Sequence, residues 1–169
     1  TAAEKAVNQS LFENQGEDDP AYARYKKISS FLKQTIKGPF PATILYGPPG
    51  MSKTYMVRRT LHFAGIKPGS GYVIEKGATL KLEDFFSLIY QHRKKILVLD
   101  DFDTPLKNED CVNLLKSITD SYKKRVVSLP RVGKISPEGA PPELDIPQKF
   151  EHEGKLIILT NLDRKSIDK

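Results

Sequence analysis

Hydrophobic residues are distributed in two kinds of segment along the chain. Short, mostly apolar runs predict strands at residues 42–46, 72–75, 96–99 and 156–159, of which the run at 96–99 is continuously apolar and the clearest. Longer segments with apolar positions at helical spacing predict helices at residues 21–36, 52–63, 82–92 and 109–122. Apolar strands that alternate with helices are typical of a parallel sheet covered on both faces. The pattern therefore predicts an α/β fold with a parallel sheet flanked by helices.

The beginning of the chain predicts a separate helical region. Residues 1–15 are expected to form a short helical arm, and the acidic turn GEDDP follows it. The next helix ends at KGPFP, because two prolines and a glycine cannot continue a helix. Its apolar stripe is expected to bury Tyr22, Tyr25, Ile28, Phe31 and Leu32. We accordingly divide the chain into an N-terminal arm at residues 1–37 and a core at residues 38–169.

The segment GPPGMSKTY, residues 47–55, follows the first core strand and opens a helix. This is the setting of a phosphate-binding loop, whose backbone N–H groups point at bound phosphate. Such loops have glycine before the lysine; this chain has Ser52 there, and we expect a negative φ with little strain. Lys53 is predicted to reach the β- and γ-phosphates of a nucleotide, and Thr54 to coordinate Mg²⁺. The predicted nucleotide-binding residues are Gly47, Pro48, Pro49, Gly50, Met51, Ser52, Lys53, Thr54 and Tyr55.

Acidic residues follow the strand at residues 96–99, where ligands of parallel sheets bind. A nucleotide hydrolase needs a carboxylate near its metal ion. Asp100 is predicted to hold Mg²⁺ through a water, and Asp101 to act as the base or polarising group for the attacking water. Asp103 is a further candidate for that role. The alternative, acids that merely end a strand, would leave carboxylates at a buried edge without a cation.

Composition limits the class of protein. The 169 residues, 38% of them hydrophobic and 28% charged, suffice for one globular domain. The single Cys111 cannot form an internal disulfide, and no apolar run approaches the length of a membrane span. We expect a cytoplasmic protein without membrane contact. A net charge of +6 permits a nucleic-acid partner but does not by itself indicate one.

The segments GPPGMSKT, ILVLDD and LIILTN, in this order, resemble the Walker A, Walker B and sensor 1 motifs of AAA+ ATPases. The resemblance covers residues 36–162. It implies a P-loop NTPase fold in a single three-layer domain, with ATP and Mg²⁺ as cofactors. It also implies that Asn161 is the sensor 1 residue, which helps to place the lytic water beside the catalytic Lys53 and Asp101. Serine before the lysine occurs in some members, whereas most members have glutamate at the position of Asp101. The lid domain of the family is not expected within this chain.

A long Pro- and Gly-rich insertion at residues 126–154 precedes the last strand. Its place resembles that of the pre-sensor 1 β-hairpin of superfamily 3 viral helicases and related phage-encoded ATPases, which holds single-stranded DNA. Residues 126–129 would be one arm, and Arg131, Gly133 and Lys134 would lie near the tip. A basic tip suits a phosphate backbone. The alternative is a surface loop with solvated charges, because no aromatic residue accompanies the basic ones for base stacking.

The resemblance also implies self-assembly into a ring, such as a hexamer, in which a neighbour's arginine reaches the nucleotide. Arg125 and Arg164 are the candidates for this arginine finger, and the sequence does not choose between them. The predicted function is an ATP-hydrolysing motor that acts on single- or double-stranded DNA. It would be a viral or phage helicase or translocase in replication, recombination or packaging, located in the host cytoplasm. The alternatives are a switch or remodelling ATPase acting on a protein partner, as a loader or chaperone, and a nucleotide-binding module without useful turnover.

Overall fold

The structure, a computed structural model, describes residues 20–120, 124–129 and 146–167. Its helices are α1 (Pro20–Ile36), α2 (Lys53–Phe63), α3 (Leu82–Gln91), α4 (Glu109–Thr119) and α5 (Arg164–Ile167). The strands are β1 (Ala42–Tyr46), β2 (Tyr72–Lys76), β3 (Ile96–Asp100), β4 (Arg125–Ser128), β5 (Lys149–His152) and β6 (Lys155–Thr160). The predicted core strands and the helices between them are confirmed.

Four of the strands form one parallel sheet in the order β1-β6-β3-β2. The strand β6 comes last in the chain but lies between β1 and β3, with Tyr46 opposite Thr160 and Leu99 opposite Ile158. The neighbouring pair places Lys76 opposite Asp100. The carboxyl ends of all four strands therefore meet at one edge of the sheet.

Alternate residues of the central strands face two separate hydrophobic layers. On one face, Val98 and Ile157 pack with Leu32 of α1 and Leu61 of α2. On the other face, the layer contains Leu97, Leu99, Leu156 and Ile158 together with residues of α3 and α4. All of these side chains are buried. This explains the continuously apolar runs and confirms the predicted three-layer α/β fold.

Two predictions about the helices are wrong in detail. Phe31, predicted to be buried on α1, is 50% exposed, whereas Leu32 beside it is fully buried. The helix predicted to reach residue 122 ends at Thr119, because Asp120 has an extended backbone with ψ of 142°. The side chain of Asn108 caps the start of this helix by accepting a hydrogen bond from the backbone N–H of Cys111 at 3.0 Å.

The expectation of a negative φ at Ser52 is also wrong. Ser52 precedes α2 with a φ of 55° and a ψ of 25°, and its side chain makes no capping hydrogen bond. The left-handed conformation costs an L-residue roughly 1–2 kcal/mol relative to glycine. The chain must turn sharply between Gly50, whose φ is 80°, and the first residue of α2. A serine thus occupies a position that favours glycine.

The strands β4 and β5 form an antiparallel pair outside the main sheet. Arg125 lies opposite His152 at its open end. The guanidinium of Arg125 donates to the carbonyl oxygens of Ile118 at 3.2 Å and Gly154 at 2.9 Å, and so joins the end of α4 to the turn before β6. Within the predicted arm at residues 126–129, Val126, Val127 and Ser128 belong to β4.

Several predictions concern residues outside those that the structure describes. They are the helical arm at residues 1–15 and the positions of Arg131, Gly133 and Lys134, and nothing is described of the Tyr22 side chain, which was predicted to be buried. Among the described helices, none combines the length and apolar character required to cross a bilayer.

The strain at Ser52 predicts an unusual stability effect. Ser52→Gly should raise the free energy of unfolding by up to about 1 kcal/mol, because relief of the left-handed strain exceeds the entropic cost of glycine. Ser52→Ala, which keeps the strain, should be near neutral, and Ser52→Val should be clearly destabilising. Urea unfolding of the three variants and of the unsubstituted chain measures their free energies of unfolding and ranks them. A glycine variant less stable than the alanine variant would mean that φ at this position is negative.

The burial of His152 predicts a loss of stability in mild acid. Burial, and then the charge of Arg125, lower the pKa of His152 to about 4 from 6.5. Neither ring nitrogen has a hydrogen-bond partner among the described residues. As pH falls below 6.5 the unfolded chain binds the proton first, so stability is retained above that pH and lost progressively down to about 4. The loss should total roughly 3–4 kcal/mol at ~1.4 kcal/mol per pKa unit.

Urea unfolding at several pH values between 7 and 4.5 tests this loss. His152→Leu should unfold with a weaker pH dependence than the unsubstituted chain. His62→Leu, on the exposed face of α2, should keep the full dependence. The idea fails when both variants lose stability in parallel with the unsubstituted chain.

Candidate active site

The candidate site lies at the edge where the four parallel strands end. The loop at residues 47–52 follows β1, Asn161 follows β6, Asp101 follows β3, and Lys76 ends β2. Because β6 separates β1 from β3, Asn161 stands between the loop and the acidic residues. Ligands of open parallel sheets bind at this edge, so the position agrees with the sequence prediction.

Lys53, the first residue of α2, turns back toward its own loop. Its ammonium donates to the carbonyl oxygens of Gly47 at 2.7 Å and Pro48 at 3.0 Å. The third contact is with Oδ1 of Asn161, also at 3.0 Å. The lysine therefore links the loop to the end of β6. These partners are neutral oxygens, so an anionic phosphate can compete with them for the ammonium.

Thr54 and Asp100 are in direct contact across the site. The hydroxyl of Thr54 donates to Oδ2 of Asp100 at 3.0 Å, and the same oxygen accepts from Nζ of Lys76 at 3.1 Å. Lys76 also donates to Oδ2 of Asp101 at 2.9 Å. The hydrogen bonds to Asp101 and Asp100 raise the pKa of Lys76, which therefore remains charged at neutral pH.

A network of amide and carboxylate groups connects the ends of β3 and β6. Nδ2 of Asn161 lies 3.4 Å from Oδ1 of Asp101 and 3.3 Å from Oδ2 of Asp103. Asp103 also accepts from Thr160 and from the backbone N–H of Asn161. Burial opposes ionisation of Asp103, but these hydrogen bonds lower its pKa below the ordinary value. Asp103 is therefore an ionised anchor for the residue after β6.

A cavity of about 1170 Å³ opens beside the loop. One wall is the loop itself, with Gly47, Pro48, Gly50, Met51, Ser52 and Lys53. The opposite wall is α1, through Tyr25, Ile28 and Phe31. Three residues predicted with the loop, Pro49, Thr54 and Tyr55, do not line this cavity. Burial raises the pKa of Tyr55, and the ionisable side chains that act on it are Arg59 and Tyr25.

The structure thus brings together Lys53, Thr54, Asp100, Asp101 and Asn161. It does not bring Arg125 to this group, since its guanidinium is bound to Ile118 and Gly154 at the other side of the fold. The predicted Arg131 and Lys134 lie outside the described residues, and nothing is described of the Arg164 side chain.

Two residues of the network have positions that the sequence did not predict. Lys76 is absent from the predicted site, although its place at the end of a strand next to β3 could have indicated it. The close approach of the two strand ends also depends on Gly77, since a Cβ there would clash with the ring of Phe102. The sequence suggests Asp103 only as a further candidate for the base. In the structure its carboxylate instead accepts hydrogen bonds from Thr160 and Asn161 at the end of β6.

The donor set of the site fits Mg²⁺. Among the described residues, no group of three or more His, Cys, Asp or Glu side chains could form a complete metal cage. Magnesium is commonly held by one or two carboxylates plus substrate phosphates, and it prefers oxygen. Asp100 and Thr54 supply a carboxylate and a hydroxyl side by side. The ammonium of Lys76 bridges the carboxylates of Asp100 and Asp101, so this place favours positive charge, and the side chain of Lys76 is 71% exposed.

Comparison with known proteins agrees with this geometry. Residues 43–165 match the family model described as "ATPase family associated with various cellular activities (AAA)". A comparison with curated proteins gave no match. The matched residues begin in β1 and extend past β6, so they contain the four parallel strands except for Ala42, together with Lys53, Thr54, the acidic residues after β3 and Asn161. The match extends over well more than half of the 169 residues. The chain therefore belongs to the AAA family of ATPases, a membership that implies ATP binding and hydrolysis.

Proposed function

We propose that the site binds ATP with Mg²⁺ and hydrolyses the terminal phosphate. The observation that carries this proposal is the contact of Lys53 with Asn161, together with that of Thr54 with Asp100. These contacts bring the loop and the two strand ends into one site. Lys53 binds the β- and γ-phosphates by exchanging its carbonyl partners for phosphate oxygens. The adjacent cavity of about 1170 Å³ is large enough for the rest of a nucleotide.

Asp100 and Thr54 would hold the magnesium ion. When bound, Mg²⁺ neutralises charge on the phosphate oxygens. For Asp100 to hold the ion, Lys76 would have to release Oδ2 of Asp100, and the 71% exposure of its side chain leaves room for this.

Asp101 is proposed as the group that polarises the attacking water. Its carboxylate lies at the same edge as Lys53 and touches Asn161, which would orient the water from the other side. Oδ1 and Oδ2 of Asp101 contact different partners, Asn161 and Lys76 respectively. Departure of Lys76 would leave one oxygen able to accept a proton from water.

We also propose that the ATPase is a motor acting on DNA, resembling superfamily 3 viral helicases and phage-encoded ATPases. In support, β4 and β5 pair in antiparallel fashion on either side of residues 129–148 of the insertion. Those residues include Arg131 and Lys134, and the chain carries a net charge of +6. Basic residues in such an insertion suit a nucleic-acid backbone. Action on a protein partner, as a loader or chaperone, is the rival proposal.

Self-assembly belongs to the same proposal. In a ring, an arginine of one subunit would complete the site of the next. Arg125 donates both of its observed hydrogen bonds within its own chain, and burial lowers its pKa. We therefore favour Arg164 as the arginine finger and assign Arg125 to the support of the hairpin base.

The assignment of the site predicts two distinct defects. Lys53→Ala should abolish nucleotide binding, because it removes the cation that contacts the phosphates. Asp101→Asn should retain binding and lower hydrolysis by roughly 10²–10⁴-fold, as expected for loss of a general base. Binding of a fluorescent ATP analogue and release of phosphate measure the two effects separately.

Matched controls for these variants lie on the exposed surface. Lys67→Ala and Asp110→Asn remove the same charges away from the site and should leave binding and turnover unchanged. Unaltered turnover in both Lys53→Ala and Asp101→Asn would refute the site, whatever the partner of the ATPase.

The proposal of a DNA partner predicts a salt-dependent binding defect. Arg131→Ala combined with Lys134→Ala should weaken single-stranded DNA binding at all sequences. The salt slope should fall by roughly 0.7 for each phosphate that the variant no longer neutralises. Fluorescence anisotropy over a series of salt concentrations measures both quantities. ATP binding should be unchanged, because Lys53 and Asp100 are intact.

The control for this experiment is a double variant with equal loss of charge. Lys94→Ala with Lys116→Ala removes two exposed lysines outside the insertion and should not alter the salt slope. If the Arg131 and Lys134 variant binds DNA with unchanged affinity and slope, the protein-partner proposal takes precedence.

A further inference from the structure

Asp103 forms hydrogen bonds with both the backbone and the side chain of Asn161. Its Oδ1 accepts hydrogen bonds from the Thr160 hydroxyl at 2.5 Å and from the backbone N–H of Asn161 at 2.8 Å. Its Oδ2 lies 3.3 Å from the side-chain nitrogen of the same Asn161. One carboxylate therefore restrains the backbone and the side chain of Asn161 together.

The partners of Asn161 determine which way its amide points. An ammonium can only donate hydrogen bonds, so Oδ1 must face Lys53, at 3.0 Å. Ionised carboxylates can only accept, so Nδ2 must face Asp101 and Asp103. A flipped amide would place its NH₂ group against the ammonium of Lys53, two donors facing each other. It would also place its oxygen against the carboxylates of Asp101 and Asp103, where both groups are acceptors. Of these three contacts, the one with Asp103 involves neither the loop lysine nor the proposed water-polarising group.

The carboxylate of Asp103 is itself firmly placed. Phe102 just before it is fully buried, packs against Phe85 with ring centroids 5.0 Å apart, and donates its N–H to the carbonyl of Leu159 at 2.9 Å. Thr160 is also fully buried, and its hydroxyl oxygen accepts the N–H of Leu162 at 3.1 Å. These contacts fix the distance between the end of β3 and the end of β6.

We propose that Asp103 is a positioning residue of the ATPase, which orients the Asn161 amide with its oxygen toward Lys53 and its nitrogen toward Asp101. The effect on turnover rests on the proposed function, whereas the orientation rests on the hydrogen bonds alone. Asp103 does not contact the nucleotide. It acts through Asn161, and a change at Asp103 alters the rate of hydrolysis rather than ATP binding.

Asp103→Asn is the informative variant. One arm of an asparagine can still accept from Thr160 and from the Asn161 N–H, and its other arm then presents an NH₂ group to Nδ2 of Asn161. Turned the other way, it presents the NH₂ group to the Asn161 backbone N–H. Either orientation loses one of the two restraints, with little change in side-chain volume. The fold should therefore be retained, and circular dichroism and urea unfolding verify it.

Steady-state ATPase kinetics test the proposal. Asp103→Asn should lower kcat by roughly 10–100-fold, the range typical of partners that orient a functional side chain, with KM for ATP changed less than about twofold. In an Asn161→Ala background the same substitution should change kcat less than about twofold, because the group it orients is gone. Asp110→Asn, on the exposed first turn of α4, is the charge-matched control. An equal loss of kcat in both backgrounds, or an unchanged kcat in Asp103→Asn alone, would overturn the proposal.

A measurement independent of turnover separates this inference from the proposed function. The side-chain NH₂ signals of Asn161 in ¹⁵N-correlated NMR spectra, assigned by their loss in Asn161→Ala, should shift and exchange faster with water in Asp103→Asn. An unshifted signal with normal ATPase activity would overturn the positioning role and leave the ATPase assignment standing. A shifted signal in a chain without any ATPase activity would support the orientation and contradict the proposed function instead.

Discussion

The insertion of β6 between β1 and β3 is the constraint on which the site depends. The strand is buried on both faces and pairs with a neighbour on each edge, so its position is fixed by the core. Asn161, the residue after it, must then stand between the phosphate-binding loop and the acidic end of β3. Without this strand order, Lys53 and Asp101 would have no common partner. The geometry of the candidate site is therefore a consequence of sheet topology, which the hydrophobic core enforces.

Charge balance at the strand ends is the second constraint. Three carboxylates meet at this edge, those of Asp100, Asp101 and Asp103. Lys76 contacts the first two directly, and Lys53 contacts Asn161, which in turn contacts Asp103. Lys76 bridges Asp100 and Asp101, whose mutual repulsion it offsets. Asp103 is satisfied by neutral donors instead, from Thr160 and Asn161. The first two acids are thus paired with a cation, whereas the third is bound by neutral donors of the strand end.

Sequence patterns were sufficient for the parts of the structure that depend on one local signal. Continuous apolar runs predicted β3 and β6, since burial on both faces leaves no polar positions, and the loop was recognisable from its glycines and Lys53. Features that depend on two distant segments were not predictable in this way. Lys76 and Asp103 acquire their partners only through the strand order, and the exposure of Phe31 depends on which face of α1 meets the sheet. The left-handed backbone of Ser52 leaves no mark in a sequence, because serine is compatible with either sign of φ.

Two residues with a left-handed backbone border the site, and one of them, Asp101, bears on a departure from the family pattern. In the described part of the chain, Ser52 and Asp101 are the non-glycine residues with positive φ, each at 55°. Aspartate tolerates the left-handed region better than glutamate does, because its short polar side chain can satisfy local backbone groups. The short arm of Asp101 still reaches both Asn161 and Lys76 from this backbone conformation. The turn after β3 therefore accounts for an aspartate where most of the family has glutamate: the backbone, rather than a longer side chain, directs the carboxylate into the site.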